Sequence, residues 1–361
     1  MIPDLFTSPP PVRDELQSAT TVTQDDTVDL CLPFLSGEKN EGCNGYGVPH
    51  LDRERHIRFL HKQLGGFPAP FVAADASRPW FLFWSLNGLS LLGEDVSSYR
   101  ASLIDTARSM QNDTGGFGGG NGQMSHLATT YAMVLALTLV GGESVYEVVD
   151  RRAMWKWLCA LKQPNGGFQM AVGGEVDVSH WVGGCWPLIE AALAGGAAAT
   201  AAGGGGYAPP LGHDQPGHKH KLPLTSRSLY SREGLIRYIM CCCQDQTKRG
   251  GLRDKPGRTS DGYHTCYVLA GLSSAQHKSE LVDAGVPGVD ATECDAGSTG
   301  GTMLGVGGQP YLNTSWSVTP YLDEAQIFDE QDRLVPLHPL YALPVGCVAD
   351  IKRYFDAKPG F

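Results

Sequence analysis

Apolar residues recur on a helical period along much of this chain. In "DRERHIRFLHKQLGGF" (52–67), Ile57, Leu60 and Leu64 are spaced by three and four residues, which puts them on one helix face. "SRPWFLFWSLNGLSLLG" (77–93) repeats that spacing with Trp80, Phe83 or Trp84, and Leu86 to Leu89. There Ser77 stands where an N-cap belongs and Pro79 falls in the first turn. "SHLATTYAMVLALTLVGG" (125–142) ends at a glycine stop, and 149–167 and 231–246 have the same form. No stretch shows convincing strand alternation, so the pattern predicts an all-α protein.

The helices also come in a repeated arrangement. A helix ends in a polar turn with paired glycines, and a second helix begins ten to fifteen residues later. The pairs are Gly115-Gly116, Gly166-Gly167 and Gly250-Gly251, with Gly65-Gly66 a weaker relative. Repeats of this size mean stacked helix pairs, each burying a face on the next. Just before each second helix stand Ser125-His126, Ser179-His180-Trp181 or Tyr263-His264. Equivalent helix starts therefore carry the candidate chemistry, where N-termini suit anions. Around the helices, residues 1–50 are rich in Pro, Thr, Asp and Gly and predict a mobile leader. Two low-complexity stretches, near 194–227 and 283–320, predict flexible insertions in a domain running from 51 to 361. His213, His218 and His220 fall in the first of these and read as solvated.

Composition narrows the class. The 361 residues are 42% hydrophobic and 18% charged, enough for a large core. A net charge of −10 argues against nucleic-acid binding through overall charge. The N-terminal segment lacks the basic flank and apolar run of a signal peptide, and no run approaches a membrane span. Ten cysteines, three of them consecutive (Cys241 to Cys243), do not form the spaced pattern of a secreted scaffold. Reduced thiols in a cytoplasmic protein are expected.

The chemistry concentrates in "DGYHTCY" (261–267), where a histidine and a cysteine stand two apart. On residues alone this is half of a metal site, a nucleophile with its base, or the polar lip of a buried helix. "GGFGGGNGQ" (115–123) is not a phosphate cradle, since no Lys-Ser/Thr follows and no strand precedes it. Ser179 beside His180 has no readable acidic orienter, and helix neighbours point apart.

Several longer motifs, "ASRPWFLFW" (76–84), "TGGFGGGNGQMSHLATTYA" (114–132), "SHWVGGCW" (179–186), "GGLRDKPGRTSDGYHTCYVLAGLSSAQH" (250–277) and "LHPLYAL…YFDAKPGF" (337–361), stand in one order. In these the chain resembles the β subunit of protein farnesyltransferase over about residues 50–361. "GGFQMAVGGEVDV" and the insertions point to the fungal type. The resemblance implies an α-α barrel of alternating inner and outer helices, paired with an α subunit as a heterodimer. It implies transfer of farnesyl from farnesyl diphosphate to the cysteine of a C-terminal C-a-a-X protein. It further implies a zinc ion, with Mg²⁺ assisting, that holds the peptide thiol as thiolate.

By this resemblance His264 is a zinc ligand, and Cys266, two positions on, faces away from it. Trp80, Ser179, His180 and Trp181 are implied in isoprenoid binding, with Trp80 at the position whose bulk limits prenyl length. Trp84, His126 and Ala128 match peptide-side positions. Tyr263 matches a position near the diphosphate or the thioether, and Asp254 and Lys255 match a pair near the diphosphate, where an Asp recruits Mg²⁺ and a Lys balances charge. Read alone, these tryptophans are ordinary core and "DKPG" is a plain turn.

The family's Asp-x-Cys ligand pair is missing. Val178 joins directly to Ser179, where the family carries a further block on the order of a hundred residues, two helix-pair repeats. By register Glu175 and Asp177 fall where that pair belongs, or else they are simply loop carboxylates. A lone histidine does not hold zinc usefully, so weak or absent metal binding is expected of this chain. The alternatives are a geranylgeranyltransferase type I β subunit, against which Trp80 argues, and a non-catalytic or mis-spliced β-like chain that only pairs with an α subunit.

Overall fold

A computed structural model describes residues 2–10, 15–66, 69–163, 168–177, 230–283, 314–322 and 326–358. The insertion expected near 194–227 lies outside the described residues. The helices are α1 (Asp4–Thr7), α2 (Ala19–Leu35), α3 (Arg53–Gly65), α4 (Arg78–Leu91), α5 (Arg100–Met110), α6 (Leu127–Val140), α7 (Glu143–Tyr146), α8 (Arg151–Leu161), α9 (Arg232–Tyr238), α10 (Gly262–Gln276) and α11 (Val345–Asp356). The pattern-predicted helices within the described residues are thus present, the helix expected after Ser179-His180-Trp181 lies outside them, and α9 continues into a π turn, Ile239–Cys243.

Helix α4 sits at the centre, packed against α3, α6 and α10. Nine of its residues are buried, from Pro79 to Leu91. Gly88 makes the close approach to α3 possible, because a Cβ there would stand 2.8 Å from Leu60 Cδ1. Ser77 occupies the N-cap position, yet its side chain makes no cap bond. The chain enters α4 directly from a 3₁₀ segment, Ala69–Ser77, so the expected capping turn is replaced by preceding helical backbone.

The paired-glycine turns are the same structure built twice. Gly115 and Gly116 have φ of 99° and 76°, and Gly250 and Gly251 have 69° and 83°, all in the left-handed region open to glycine. A Cβ on Gly115 would meet the Ala153 carbonyl oxygen at 2.2 Å, and one on Gly250 would meet that of Arg55 at 2.6 Å. Ala153 and Arg55 are each the third residue of an outer helix, α8 and α3. In each turn a serine hydroxyl donates to the first glycine's carbonyl at 2.6 Å, Ser125 to Gly115 and Ser260 to Gly250. A threonine hydroxyl accepts the N–H after the second glycine: Thr130 from Phe117, Thr265 from Leu252. A glutamine then fastens the turn to the outer helix. Gln111 accepts from Asp150 N–H and Gln244 from Asp52 N–H, both at 2.9 Å, and each aspartate caps its helix.

Two expectations differ from the structure. Within residues 1–50, α2 forms with a capping box: Ser18 Oγ accepts from Thr21 N, and Thr21 Oγ1 accepts from Ser18 N. The usual box carries Glu or Gln at that third position, so the threonine version was not recognised. Cys31 of α2 is buried against Cys241 and Cys242, which supplies the packing that composition alone does not show. Strands also exist. β1 (Phe168–Gln169) pairs with β2 (Val176–Asp177), and β3 (His277–Asp283) pairs antiparallel with β4 (Thr314–Pro320), so the ends of the loop expected over 283–320 are strand. Trp316 and Val318 do alternate with Ser315, Ser317 and Thr319, but the run is short beside the helical signal. Among the described residues all eight cysteines are free, and no helix is long and apolar enough to cross a membrane.

Candidate active site

The N-terminal halves of α4, α6 and α10 bring the candidate residues together. Trp80 and Trp84 are one turn apart on α4, with ring centroids 5.8 Å from each other. Trp80 lies 6.2 Å from Tyr131 of α6, and Trp84 meets Tyr263 of α10 edge-on at 5.2 Å. Tyr263 in turn touches Tyr267 and His264, each at 5.0 Å. The tryptophans are half-buried, and burial pushes the Tyr131 and Tyr267 phenols up from their ordinary range. These rings form a continuous aromatic wall, whose apolar area suits a long apolar ligand. Tyr131 and Tyr267 were not singled out from the sequence, although each lies three or four residues from a residue that was.

His264 stands at the edge of this wall, one-third exposed. Asp261, the N-cap of α10, grips it twice. Asp261 Oδ1 accepts the His264 backbone N–H at 2.8 Å, and Oδ2 lies 2.7 Å from His264 Nδ1. An ionised carboxylate only accepts, so Nδ1 is the protonated nitrogen of the pair, and in the neutral ring Nε2 keeps its lone pair. That is how proteins prepare an imidazole for a cation, and the supporting carboxylate was not foreseen. Cys266 is fully buried, receives the Asn87 amide at 3.4 Å, and burial pushes its thiol up to about 12. It is therefore neither nucleophile nor ligand.

The remaining candidates divide. His126 caps α6, its Nδ1 accepting from Ala128 N–H at 3.2 Å, and Ala128 lies one turn before Tyr131 on the same face. Asp254 is exposed, and its carbonyl accepts from the Tyr238 hydroxyl at 2.6 Å. Lys255 donates to Thr27 of α2 at 3.0 Å. Ser179, His180 and Trp181 lie outside the described residues, as does the side chain of Asp177. Glu175 is exposed in the β1–β2 turn and does not gather with His264 and Asp261.

A zinc that activates a thiol needs three protein ligands and an open fourth position. The described residues offer one such ligand with its supporting carboxylate, so they do not by themselves fit the ion. Among them the one gathering of three metal-capable side chains is elsewhere: His50, Asp329 and Asp332. His50 Nδ1 lies 2.9 Å from Asp332, whose other oxygen accepts the Leu51 N–H at 3.1 Å. These bonds fasten the chain where it enters α3.

The family model described as the prenyltransferase alpha-alpha toroid domain matches residues 51–178 and 179–343. The fold class is accordingly that of the prenyltransferase toroids. The chain is 39% identical over 482 residues to protein farnesyltransferase subunit beta of Pyricularia oryzae, covering 100% of this chain and 85% of that one. It is 29% identical to the Schizosaccharomyces pombe subunit (95% and 98% covered) and 26% identical to that of Saccharomyces cerevisiae (96% and 89% covered). The chain belongs to the protein farnesyltransferase β-subunit family. The family match breaks between Val178 and Ser179. The Pyricularia alignment of 482 positions exceeds this chain's 361 residues by 121.

Proposed function

We propose that the site is a protein farnesyl-transfer site: it takes farnesyl from farnesyl diphosphate and delivers it to the cysteine of a C-a-a-X terminus, in a heterodimer with an α subunit. The observation that carries this reading is the aromatic wall of Trp80, Trp84, Tyr131, Tyr263 and Tyr267 ending at the His264–Asp261 pair. The wall buries the isoprenoid, with Trp181 and its neighbours Ser179 and His180 assigned to the same ligand. His126, Ala128 and Trp84 take the peptide side. Tyr263 lies between wall and imidazole, where the reacting carbon belongs. Lys255, with Asp254, reaches a diphosphate only by leaving Thr27. Zinc, when bound, supplies a thiolate at neutral pH, and His264 is its ligand in this chain. Free thiols fit a reducing compartment, the cytoplasm.

A second reading is favoured by the break at Val178–Ser179 and the 121 excess positions: this 361-residue form pairs with an α subunit without turning over. One experiment separates them. The heterodimer is purified, its zinc content measured, and farnesyl transfer to a C-a-a-X peptide followed for the wild-type chain and His264→Ala. Transfer that is lost in the variant supports the first reading. Silence in both, with a stable heterodimer, supports the second.

A further inference from the structure

Helix α2, in the leader, reaches the lysine assigned above to the diphosphate. Thr27 Oγ1 donates its one proton to the Thr23 carbonyl at 2.7 Å, one turn back along α2. Its lone pairs are left to accept, and the Lys255 ammonium donates to them at 3.0 Å. One turn further on, Cys31 is buried against Cys241 and Cys242 of the π turn, with Phe34, Leu35 and Tyr238 packed around it. A hydrogen bond with Cys242 and, against burial, one with Tyr238 and the charge of Lys255 hold the Cys31 thiol below its ordinary range. The ammonium thus serves the α2 face that carries Thr27 and Cys31, four residues apart.

The turn that carries Lys255 is fixed without α2. The Asp254 carbonyl accepts from the Tyr238 hydroxyl at 2.6 Å and from the Cys243 thiol at 3.8 Å, and Pro256 is buried. The part able to move is the lysine side chain, on its flexible four-carbon stem. Helix α2 is lightly held: of its 17 residues only Thr21 and Cys31 are buried. It carries Asp25, Asp26 and Asp29, all exposed, and no basic residue. A docked α2 therefore occupies Lys255 and also brings negative charge close to it, and both effects oppose an approaching anion.

We infer that α2 is an autoinhibitory strap: through Thr27 it withholds Lys255 from the diphosphate, so that the Thr27 contact and diphosphate binding compete for one ammonium. This rests on the assignment of Lys255 to the diphosphate. Its physical basis is that a ligand whose partner is committed elsewhere binds with an affinity reduced by the fraction of molecules in which that partner is free.

The test is a double-mutant cycle on the heterodimer, with the dissociation constant for farnesyl diphosphate read by quenching of tryptophan fluorescence. Binding is the readout because it does not require turnover. Wild type, Thr27→Val, Lys255→Met and the double variant are compared, with thermal melts to confirm folding. Thr27→Val keeps the shape and removes the acceptor, and is expected to tighten binding about tenfold, the size of a hydrogen bond to a charged group. Thr27→Ser, which keeps the hydroxyl, stays within about twofold of wild type. With Lys255→Met already in place, Thr27→Val changes the constant by less than about twofold. A gain of equal size with and without Lys255 overturns the strap, because the effect then does not run through the lysine. So does the absence of any gain when Lys255→Met alone weakens binding, and in that case the diphosphate assignment stands. If Lys255→Met has no effect in either background, the assignment of Lys255 falls and the strap with it. If none of the four chains binds, the isoprenoid diphosphate reading falls and takes this inference with it. Should Thr27→Val melt early, Thr27→Ala replaces it, with the same cycle deciding.

Discussion

At the scale of single residues, the positions that matter are those whose hydrogen bonds leave one atom committed to a task. His264 is one, with Nδ1 tied to Asp261. His56 of α3 is another, used for structure. Its Nδ1 accepts the Gly251 N–H at 3.1 Å, and its Nε2 donates to Gln244 Oε1 at 3.1 Å. Those bonds require the neutral ring, and burial pushes its pKa down from 6.5 to about 4. The unfolded chain therefore binds the proton first as pH falls. The stability that neutral His56 provides is complete above about pH 6.5 and is lost progressively towards pH 4. The loss is of order 3 kcal/mol for a shift of this size. Thermal melts of the heterodimer are expected to drop steeply between pH 6.5 and 4.5. His56→Gln, which cannot titrate, is expected to be less stable at pH 7.5 but flatter with pH; an unchanged slope would remove His56 as the cause. His264 was legible because its motif is long. Asp261 was not, because an aspartate before a helix reads first as a cap, and here it is both cap and imidazole support.

At the scale of elements, the paired-glycine turn is the unit that the chain reuses. Helical periodicity made α3, α4, α6, α8 and α9 visible, since each has an apolar face with a regular spacing. Helix α2 and the strand pair β3–β4 were missed for opposite reasons. The first is held by a threonine capping box and a buried cysteine rather than by a stripe, and the second is a short alternation inside a polar stretch. The glycines were legible as a repeat, but their purpose is in the packing: a Cβ on Gly115 or Gly250 would strike an outer-helix carbonyl. Gly115→Ala and Gly250→Ala are therefore expected to destabilise by similar amounts, about 3 kcal/mol each, from left-handed strain and the forced separation of turn and helix. Urea unfolding measures this. Gly173→Ala is the comparison, since its φ is also positive, at 77°, but nothing lies within 4 Å of its Cβ. It should cost about 1 kcal/mol, from backbone strain alone. Equal costs at all three sites would mean that docking contributes nothing.

At the scale of the whole molecule, the two turns dock on outer helices in the same way but in different chain order. The 111–130 turn holds α8, which follows it in sequence. The 244–265 turn holds α3, from the start of the domain. The last described repeat therefore meets the first through the same interface that joins successive repeats, which is how a ring of helix pairs closes. Both of these interfaces are intact on either side of Val178–Ser179, where one family match ends and the next begins, between α8 and α9. Repeat arrays can lose whole units without disturbing the others, but a closed ring needs its full number of pairs. If the proposed zinc site is incomplete in this chain, inserting at that junction the extra segment of the Pyricularia relative should leave the α3 and α8 seams unchanged and add metal ligands. The outcome expected from the proposed zinc site is one zinc per heterodimer and farnesyl transfer in the lengthened chain, with both at least tenfold lower in the 361-residue form. Metal analysis and peptide prenylation of the two purified heterodimers decide it. Full zinc occupancy and equal turnover in the shorter form would show that ligands outside the described residues already complete the site.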